Sequence, residues 1–234
     1  MHAENALPTF DYDQRLPGRF HFPARMSVLP LSQGKLALVS PIPINERVAE
    51  SITRLGEVSF LIAPNLLHHL YLEQALQHFP KALVLVPERL RAKRPNLRID
   101  GTLERDLPSQ LVETVDVVKF EGTPVLDEFV FFHRARRTLV VTDLVFNVVA
   151  PRGLMANLVL FLVGCHGKLA QSRAVRFTIK NSSAASESAQ RILAFDFDTL
   201  VMAHGDVVRE QAQPQLARAL RSLLPEPRVL PAAQ

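Results

Sequence analysis

The chain has no tryptophan and a single cysteine, and it has no apolar run of the length that a membrane span needs. Cys165 is the one cysteine among 234 residues, which excludes an intrachain disulfide and a cysteine-rich zinc finger. A lone thiol is typical of a reducing compartment, so we expect a cytoplasmic protein. The most apolar run, residues 158–163, is far shorter than the roughly 20 residues that cross a bilayer. Residues 1–30 contain no apolar segment typical of a secretory signal.

Neither acidic nor basic residues are in large excess. The formal net charge is +4 and 21% of the residues are charged, so the basic excess is small. No nucleic-acid-binding motif accompanies it, and we expect neither a nucleic acid nor a membrane as partner. A small-molecule substrate of unknown identity is the expected ligand. The sequence leaves the oligomeric state open.

The length and the 47% of hydrophobic residues suit one globular domain with one sizeable core. Residues 1–25 are rich in proline and charge, which predicts an irregular arm on the surface. Residues 26–224 form the predicted single domain. Residues 225–234 are the predicted tail.

The first part of this domain has the pattern of strands alternating with helices. Residues 26–31 and 36–41 predict a hairpin, and Asn45 is a plausible N-cap for a helix that ends before Gly56. Residues 58–63 then predict a short buried strand. A strand, helix and strand joined by short connections predict a right-handed parallel crossover, and ligands bind at the carboxyl ends of such strands.

Two adjacent histidines, His68 and His69, follow that strand end directly, after a Pro-Asn turn at 64–65. Neutral imidazole binds zinc, iron, nickel and copper, so the pair is a candidate metal site. Packing in the core or on the surface is the alternative for any single histidine pair. A second histidine position has similar features, since His204 ends a short apolar strand and Gly205 permits a sharp turn there.

Asp143 lies in an apolar stretch, residues 139–146, that we predict to be a strand over 138–145. A buried carboxylate without a partner is costly, and a cation would serve as that partner. Residues 128–132 predict the preceding strand of a hairpin, which puts His133 at the turn end, roughly 20 Å from Asp143 at about 3.3 Å per residue. We therefore interpret His133 as structural.

Two further features have a chemical and a simpler interpretation. Five basic residues in the stretch 89–98 could bind phosphate, but a solvated face is the expected one. Cys165 and His166 could form a nucleophile and base, yet neighbours on a helix point about 100° apart, which favours chance. Residues 152–167 as a whole predict a buried helix.

With these elements in place, residues 26–212 resemble the metallo-β-lactamase superfamily, and in particular a divergent bacterial branch of unassigned function. Three stretches carry the resemblance. They are Ala-Pro-Asn-Leu-Leu-His-His at 63–69, Thr-Pro at 123–124 leading through a hairpin to Thr-Asp-Leu-Val-Phe at 142–146, and the helix, strand and His-Gly of 188–205. The implied fold is α/β (α+β in some schemes), a four-layer αββα sandwich.

The family's first metal motif is His-x-His-x-Asp-His, followed by a single His, an Asp and a C-terminal His. Its first two histidine positions fall on Pro64 and Leu66, and the single His falls on Gly122. None of these three can bind a metal. The resemblance therefore implies that the first of the family's two metal sites is lost.

The second site keeps four candidates. His69 and His204 fall on histidine positions of the family and Asp143 on its bridging aspartate, whereas His68 replaces an aspartate. The implied cofactor is one divalent metal, zinc by its preference for nitrogen and carboxylate ligands, with iron or manganese as alternatives. Four bound side chains would close the site, and three would leave a position for water.

Two functions follow from the resemblance. The first is a mononuclear metal-dependent hydrolase in which a metal-bound water is the nucleophile and Asp143 is a ligand and proton acceptor. The second is a non-catalytic protein that keeps the fold for binding or as a scaffold, which the three lost ligand positions favour. Fold does not distinguish them, because the site determines the function.

Overall fold

Two β-sheets carry the loops that form the site. The computed structural model describes residues 6–16, 20–151 and 153–225. One sheet has six strands in chain order: β1 (Thr9–Leu16), β2 (Phe20–Pro30), β3 (Lys35–Val39), β4 (Glu57–Ile62), β5 (Leu83–Val86) and β6 (Gly101–Thr102). The other has four, which are in chain order β7 (Val115–Lys119), β8 (Phe129–His133), β9 (Thr138–Val140) and β10 (Thr199–Val201).

Helices connect these strands and cover the outer faces of the sheets. In the described residues they are α1 (Glu46–Thr53), α2 (Leu72–His78), α3 (Leu90–Lys93), α4 (Ser109–Val112), α5 (Leu154–Val163), α6 (Arg173–Phe177), α7 (Ser182–Leu193) and α8 (Ala212–Ala219). Short 3-10 turns lie at Ser32–Gly34, Arg134–Arg136 and Arg221–Leu223.

The hydrophobic core has three layers, which define the architecture. Between the sheets, Phe60 of the first packs with Phe131 and Val140 of the second. On the outer face of the first sheet, strand residues such as Leu61 pack against α1, α2 and α3. On the outer face of the second sheet, strand residues pack against α7 and α8. The predicted four-layer αββα sandwich is confirmed.

The predicted parallel crossovers are present. β3 pairs in parallel with β4, and β4 with β5, so α1 and α2 lie in the connections between these strands. α1 begins as predicted, because the side chain of Asn45 accepts a hydrogen bond from the backbone N–H of Val48. The carboxyl end of β4 thereby opens into residues 63–71, where the histidine pair lies.

The prediction of an irregular arm at residues 1–25 is wrong for the part that the structure describes. β1 and β2 form an antiparallel hairpin that extends the first sheet. Phe10 and Tyr12 alternate along β1 and pack against the core, and this period of two was hidden among prolines and charges. Pro23 is tolerated because β3 pairs with β2 only from Ser27 onward. Residues 226–234 of the predicted tail lie outside the described residues.

The helix predicted at 152–167 is present, but the prediction that it is buried is wrong. α5 is shorter, and it buries only Ala156 and Leu160. Leu154 at its start is 92% exposed and Phe161 near its end is 70% exposed. A run of apolar residues cannot by itself distinguish a buried helix from one whose apolar face is on the surface.

Candidate metal centre

Three of the predicted ligands, His68, Asp143 and His204, meet at the edge where the two sheets bring their strand ends together. His68 Nε2 lies 3.1 Å from His204 Nε2 and 3.2 Å from Asp143 Oδ2. His204 Nε2 lies 3.2 Å from Asp143 Oδ1. The three side chains are at most 13% exposed, so water competes little for these atoms.

His204 has a defined tautomer. Its Nδ1 lies 2.7 Å from the backbone carbonyl oxygen of Pro23 in β2. A carbonyl oxygen only accepts, so Nδ1 carries the proton and Nε2 presents its lone pair to the cluster. Phe146 stacks on the imidazole with an interplanar angle of 7°. This is how metal-binding histidines are usually held, with the other ring nitrogen donating to a carbonyl group.

His68 is oriented from both sides. Ser40 Oγ, just beyond β3, lies 2.6 Å from its Nδ1, which leaves Nε2 for the cluster. The side-chain oxygen of Asn65 accepts the backbone N–H of both Leu67 and His68, each at 2.8 Å, and so fixes the turn that delivers the imidazole. Burial by itself lowers the pKa of His68, but the Asp143 carboxylate outweighs it and the pKa is raised.

Asp143 is ionised. Burial favours its neutral form, but the charge of His68 and the close approach of the His204 and His68 imidazoles outweigh burial and hold the pKa well below its ordinary value. Asn65 Nδ2 donates to Oδ2 at 2.8 Å. Both carboxylate oxygens of Asp143 thus face polar side chains. This arrangement favours a role for Asp143 as a metal ligand over a role as a proton acceptor.

A buried glutamate that the sequence analysis missed, Glu128, shapes the loop of Asp143. Its carboxylate accepts the backbone N–H of Thr142 at 2.8 Å, of Asp143 at 2.9 Å and of Leu144 at 3.3 Å. The predicted strand at 138–145 therefore ends at Val140, since these N–H groups bind a side chain instead of a strand. Burial, and next the nearby Asp143 charge, raise the pKa of Glu128 to about 7. An acidic residue at the start of the apolar strand 128–132 was the available signal.

The three converging side chains fit a divalent cation. The lone pair of His204 faces a carboxylate oxygen and a second imidazole, and such electron pairs repel unless a proton or a metal ion lies among them. Atoms that share a metal at about 2.0–2.2 Å are roughly 3–3.5 Å apart, in agreement with the 3.1–3.2 Å separations here. Two imidazoles and one carboxylate are a donor set that zinc accepts.

The fourth predicted ligand, His69, is corrected by the structure. Its Nδ1 lies 2.9 Å from Arg94 Nη1, and a guanidinium only donates, so this nitrogen is an acceptor and Nε2 carries the proton. Neither ring nitrogen is then available to a metal. Burial, with the charges of Lys93 and Arg94, lowers the pKa of His69 to about 4. The family motif favours His69 over His68 as a ligand, and the turn at Asn65 reverses that order.

The three lost ligand positions of the first site are packed. Leu66 lies in the core and its N–H donates to the carbonyl of Leu126. Pro64 is buried and its carbonyl accepts from Phe129 N–H. Gly122 has φ +85°, and a Cβ there would lie 2.3 Å from the carbonyl oxygen of Asn181. None of the three positions therefore offers a side-chain atom that binds a metal.

Two of the other candidates remain structural. His133 Nε2 donates to the carbonyl of Pro30 at 2.9 Å, which joins the two sheets away from the centre. Cys165 is fully buried and burial raises its thiol pKa to about 11, while His166 is exposed and contacts Asn157. The two residues lie beyond the end of α5 and not on a helix as predicted, and their side chains have different partners.

A cavity of about 520 Å³ opens above the centre. His68, Asp143 and His204 lie at its base, and its walls are largely apolar: Phe22, Ala24, Pro41, Ile42, Leu67 and Leu70. Lys93 also lines it, so the basic stretch at 89–98 is not wholly a solvated face. The size is within the range of small-molecule sites.

Comparison with known proteins places this geometry in a known fold. No family model matches the chain, and no curated protein does. A metallo-β-lactamase from Pontibacter korlensis superposes with a TM-score of 0.61 at 15% identity, covering 93% of this chain and 99% of that one. DIM-1 metallo-β-lactamase gives a TM-score of 0.59 at 12% identity, with 93% and 99% covered. The Flv1 flavodiiron core from Synechocystis sp. gives 0.60 at 10% identity, with 92% and 58% covered.

The chain therefore has the metallo-β-lactamase fold, and the resemblance that the sequence motifs carry is confirmed at that level. Among the described residues, His68, Asp143 and His204 form a group of three side chains that could hold a metal ion. In the part of the chain that the structure describes, the helices are too short or too polar to cross a bilayer.

Proposed function

We propose that the chain is a mononuclear metal-dependent hydrolase. The observation that carries the proposal is the convergence of His68, Asp143 and His204. His204 Nδ1 donates to the carbonyl of Pro23, which leaves Nε2 for a metal. A divalent ion bound by these residues would acidify a water molecule and polarise the bond to be cleaved. Three protein ligands are the usual number in catalytic zinc sites, which keep one position open.

The residues around the centre would orient the reaction. Glu128 holds the loop of Asp143 by three backbone N–H groups, so the carboxylate keeps its direction without rearrangement. The apolar walls of the cavity exclude water from the reacting bond. These walls favour a small substrate with an apolar body, such as an acyl ester, amide or lactam. The Lys93 ammonium would attract an anionic group on it.

A non-catalytic binding protein is the second candidate. The packing of Pro64, Leu66 and Gly122 favours it, because these positions supply no ligand for a second metal ion. The cavity would then hold a ligand without cleaving it.

Hydrolysis assays on the whole chain distinguish the two. We expect turnover of a p-nitrophenyl acyl ester or a chromogenic lactam that is lost on chelation, restored by one added divalent metal and absent from His204→Ala. A p-nitrophenyl phosphodiester serves as the comparison of bond type. Protein that binds zinc at this site but hydrolyses none of these compounds above the His204→Ala background would reject the hydrolase and favour the binding protein.

A further inference from the structure

The helix α5 exposes a contiguous apolar face to solvent. Five large side chains of this helix are exposed by 92%, 50%, 53%, 70% and 58%, in order Leu154, Met155, Leu158, Phe161 and Leu162. At about 100° per residue they fall within an arc of about 120°, opposite the buried Ala156 and Leu160. Contiguous apolar surface of this kind marks a binding face.

The next helix continues this face and adds charge to it. Phe177 of α6 is 83% exposed, and Arg173 and Arg176 precede it at helical spacing, so all three lie on one side. Arg173 also donates to the carbonyl of Leu162, which ties α6 to the end of α5. The apolar and basic side chains are therefore neighbours on the surface.

A basic cavity of about 570 Å³ begins where α5 ends, at Gly164. Five cationic side chains line it: Lys168, Arg173, Arg176, Arg218 and Arg221. None of its described lining residues is acidic, and none of the five cations forms an ion pair in the described part of the chain. The buried Gln171 also lines the cavity, and neither its amide nitrogen nor its oxygen has a protein partner.

The sequence shows the same segregation of charge. Between Asp143 and Glu187 there is no acidic residue, while five Lys or Arg side chains lie in that stretch. The net charge of +4 conceals this asymmetry, and the length of the apolar run conceals the exposure of α5. The small net charge and the short apolar run were the grounds for expecting no membrane partner.

We propose that α5, α6 and the basic cavity dock on the surface of an anionic lipid bilayer. An apolar helix face beside clustered Lys and Arg is the composition of interfacial membrane-binding segments, in which apolar side chains enter the headgroup boundary and cations bind lipid phosphates. Gln171 and the five cations supply donors for the phosphate oxygens. Charge complementarity selects this partner over a second copy of the chain, whose own basic face would repel it. The proposal does not depend on the proposed hydrolase activity.

A tryptophan reporter tests insertion directly, because the chain has no tryptophan of its own. We expect the emission of a Phe161→Trp variant to shift to the blue on addition of vesicles of phosphatidylglycerol and phosphatidylcholine, and to shift much less with phosphatidylcholine alone or in high salt. Leu55→Trp, at a 45% exposed position on another surface, is the matched reporter and should not shift.

Vesicle sedimentation with paired variants identifies the surface. We expect Leu154→Ser with Leu158→Ser, and separately Lys168→Gln with Arg176→Gln and Arg221→Gln, to weaken partitioning by about tenfold or more. The matched controls remove the same groups elsewhere and should bind like wild type. They are Leu55→Ser with Leu83→Ser, and Arg47→Gln with Lys81→Gln and Arg91→Gln. All of these positions are exposed, and unchanged melting temperatures establish that the variants fold.

Three results would overturn the proposal. The first is no binding to anionic vesicles, whether or not soluble glycerol phosphate binds in the cavity. The second is vesicle binding that the α5 and cavity variants leave intact. The third is a wild-type dimer by light scattering that Leu154→Ser with Leu158→Ser converts to monomer, which would mean that a second copy covers the face.

Discussion

At the scale of single residues, the position of His204 depends on the glycine that follows it. Gly205 has φ +103°, and a Cβ on it would lie 2.1 Å from the carbonyl oxygen of Asn147. The backbone of residue 205 bridges Asn147 in parallel, which fixes the loop that presents the imidazole. The predicted sharp turn after His204 is confirmed, and close backbone approach gives a second reason for glycine there.

Gly205→Ala should therefore damage both stability and the site. The positive φ costs a non-glycine residue roughly 1–3 kcal/mol, and the contact with Asn147 adds to it. Gly34→Ala is the matched control, since Gly34 has φ +69° but no atom within 4 Å of its Cβ position, and it should lose only about 1–2 kcal/mol. Urea denaturation and zinc titration of both variants check this. Equal losses in stability would show that the contact with Asn147 is unimportant.

At the scale of elements, the N-terminal hairpin is part of the site. The backbone carbonyl of Pro23 in β2 accepts a hydrogen bond from His204 Nδ1. The ring centroids of Phe22 and His204 lie 4.4 Å apart. Arg25 Nη1 donates to the carbonyls of Met202 at 3.2 Å and Gly205 at 2.5 Å, and its Nε donates to Asp11 at 2.7 Å. The hairpin thus clamps the loop that holds the third ligand.

Arg25→Gln should loosen this clamp without unfolding the chain. Loss of groups that orient metal ligands costs 10- to 100-fold in metal affinity, and we expect a loss of roughly tenfold for zinc. Calorimetric titration measures it, with Arg47→Gln on the exposed side of α1 as the charge control. An Arg25→Gln protein that binds zinc like wild type would mean that β2 only covers the site.

The elements also show what sequence can predict. The crossovers, the Asn45 cap and the strand that leads to His68 follow from local periodicity and turn residues, and they were predicted. The strand before Asp143 ends at Val140, earlier than predicted. Glu128 and Pro23 were not recognised. Pro23 contacts His204 across 181 residues, and Glu128 binds backbone N–H groups that the predicted strand would have paired. The turn at 64–65 was predicted, but the hydrogen bonds by which Asn65 orients His68 and the contact of Arg94 with His69 were not.

At the scale of the molecule, His133 links the two sheets. It is buried, its Nε2 donates to Pro30 in the first sheet, and its Nδ1 accepts from Arg136 N–H at 3.3 Å. Burial lowers its pKa below the ordinary value near 6.5, so the folded chain holds it neutral. The unfolded chain takes up a proton as the pH falls through 6.5, and the folded chain does so only at lower pH. His133 therefore contributes stability that is present above pH 6.5 and lost on acidification.

The variant His133→Gln should reduce the pH dependence of unfolding. One proton corresponds to about 1.4 kcal/mol per pH unit, so the slope of the unfolding free energy between pH 7.5 and 5.5 should fall by at most that amount. Glutamine can still donate to Pro30, which limits the loss at neutral pH. An unchanged slope in His133→Gln would show that other groups carry the acid sensitivity.

Metal content of the untagged chain tests the central claim, a single metal site made by His68, Asp143 and His204. Elemental analysis after zinc loading and desalting should give about one equivalent per chain. His68→Ala, Asp143→Asn and His204→Ala should each retain almost none, whereas His69→Gln should stay near one equivalent. A wild-type chain with no metal or with two equivalents, or a His69→Gln protein as empty as His204→Ala, would contradict the account.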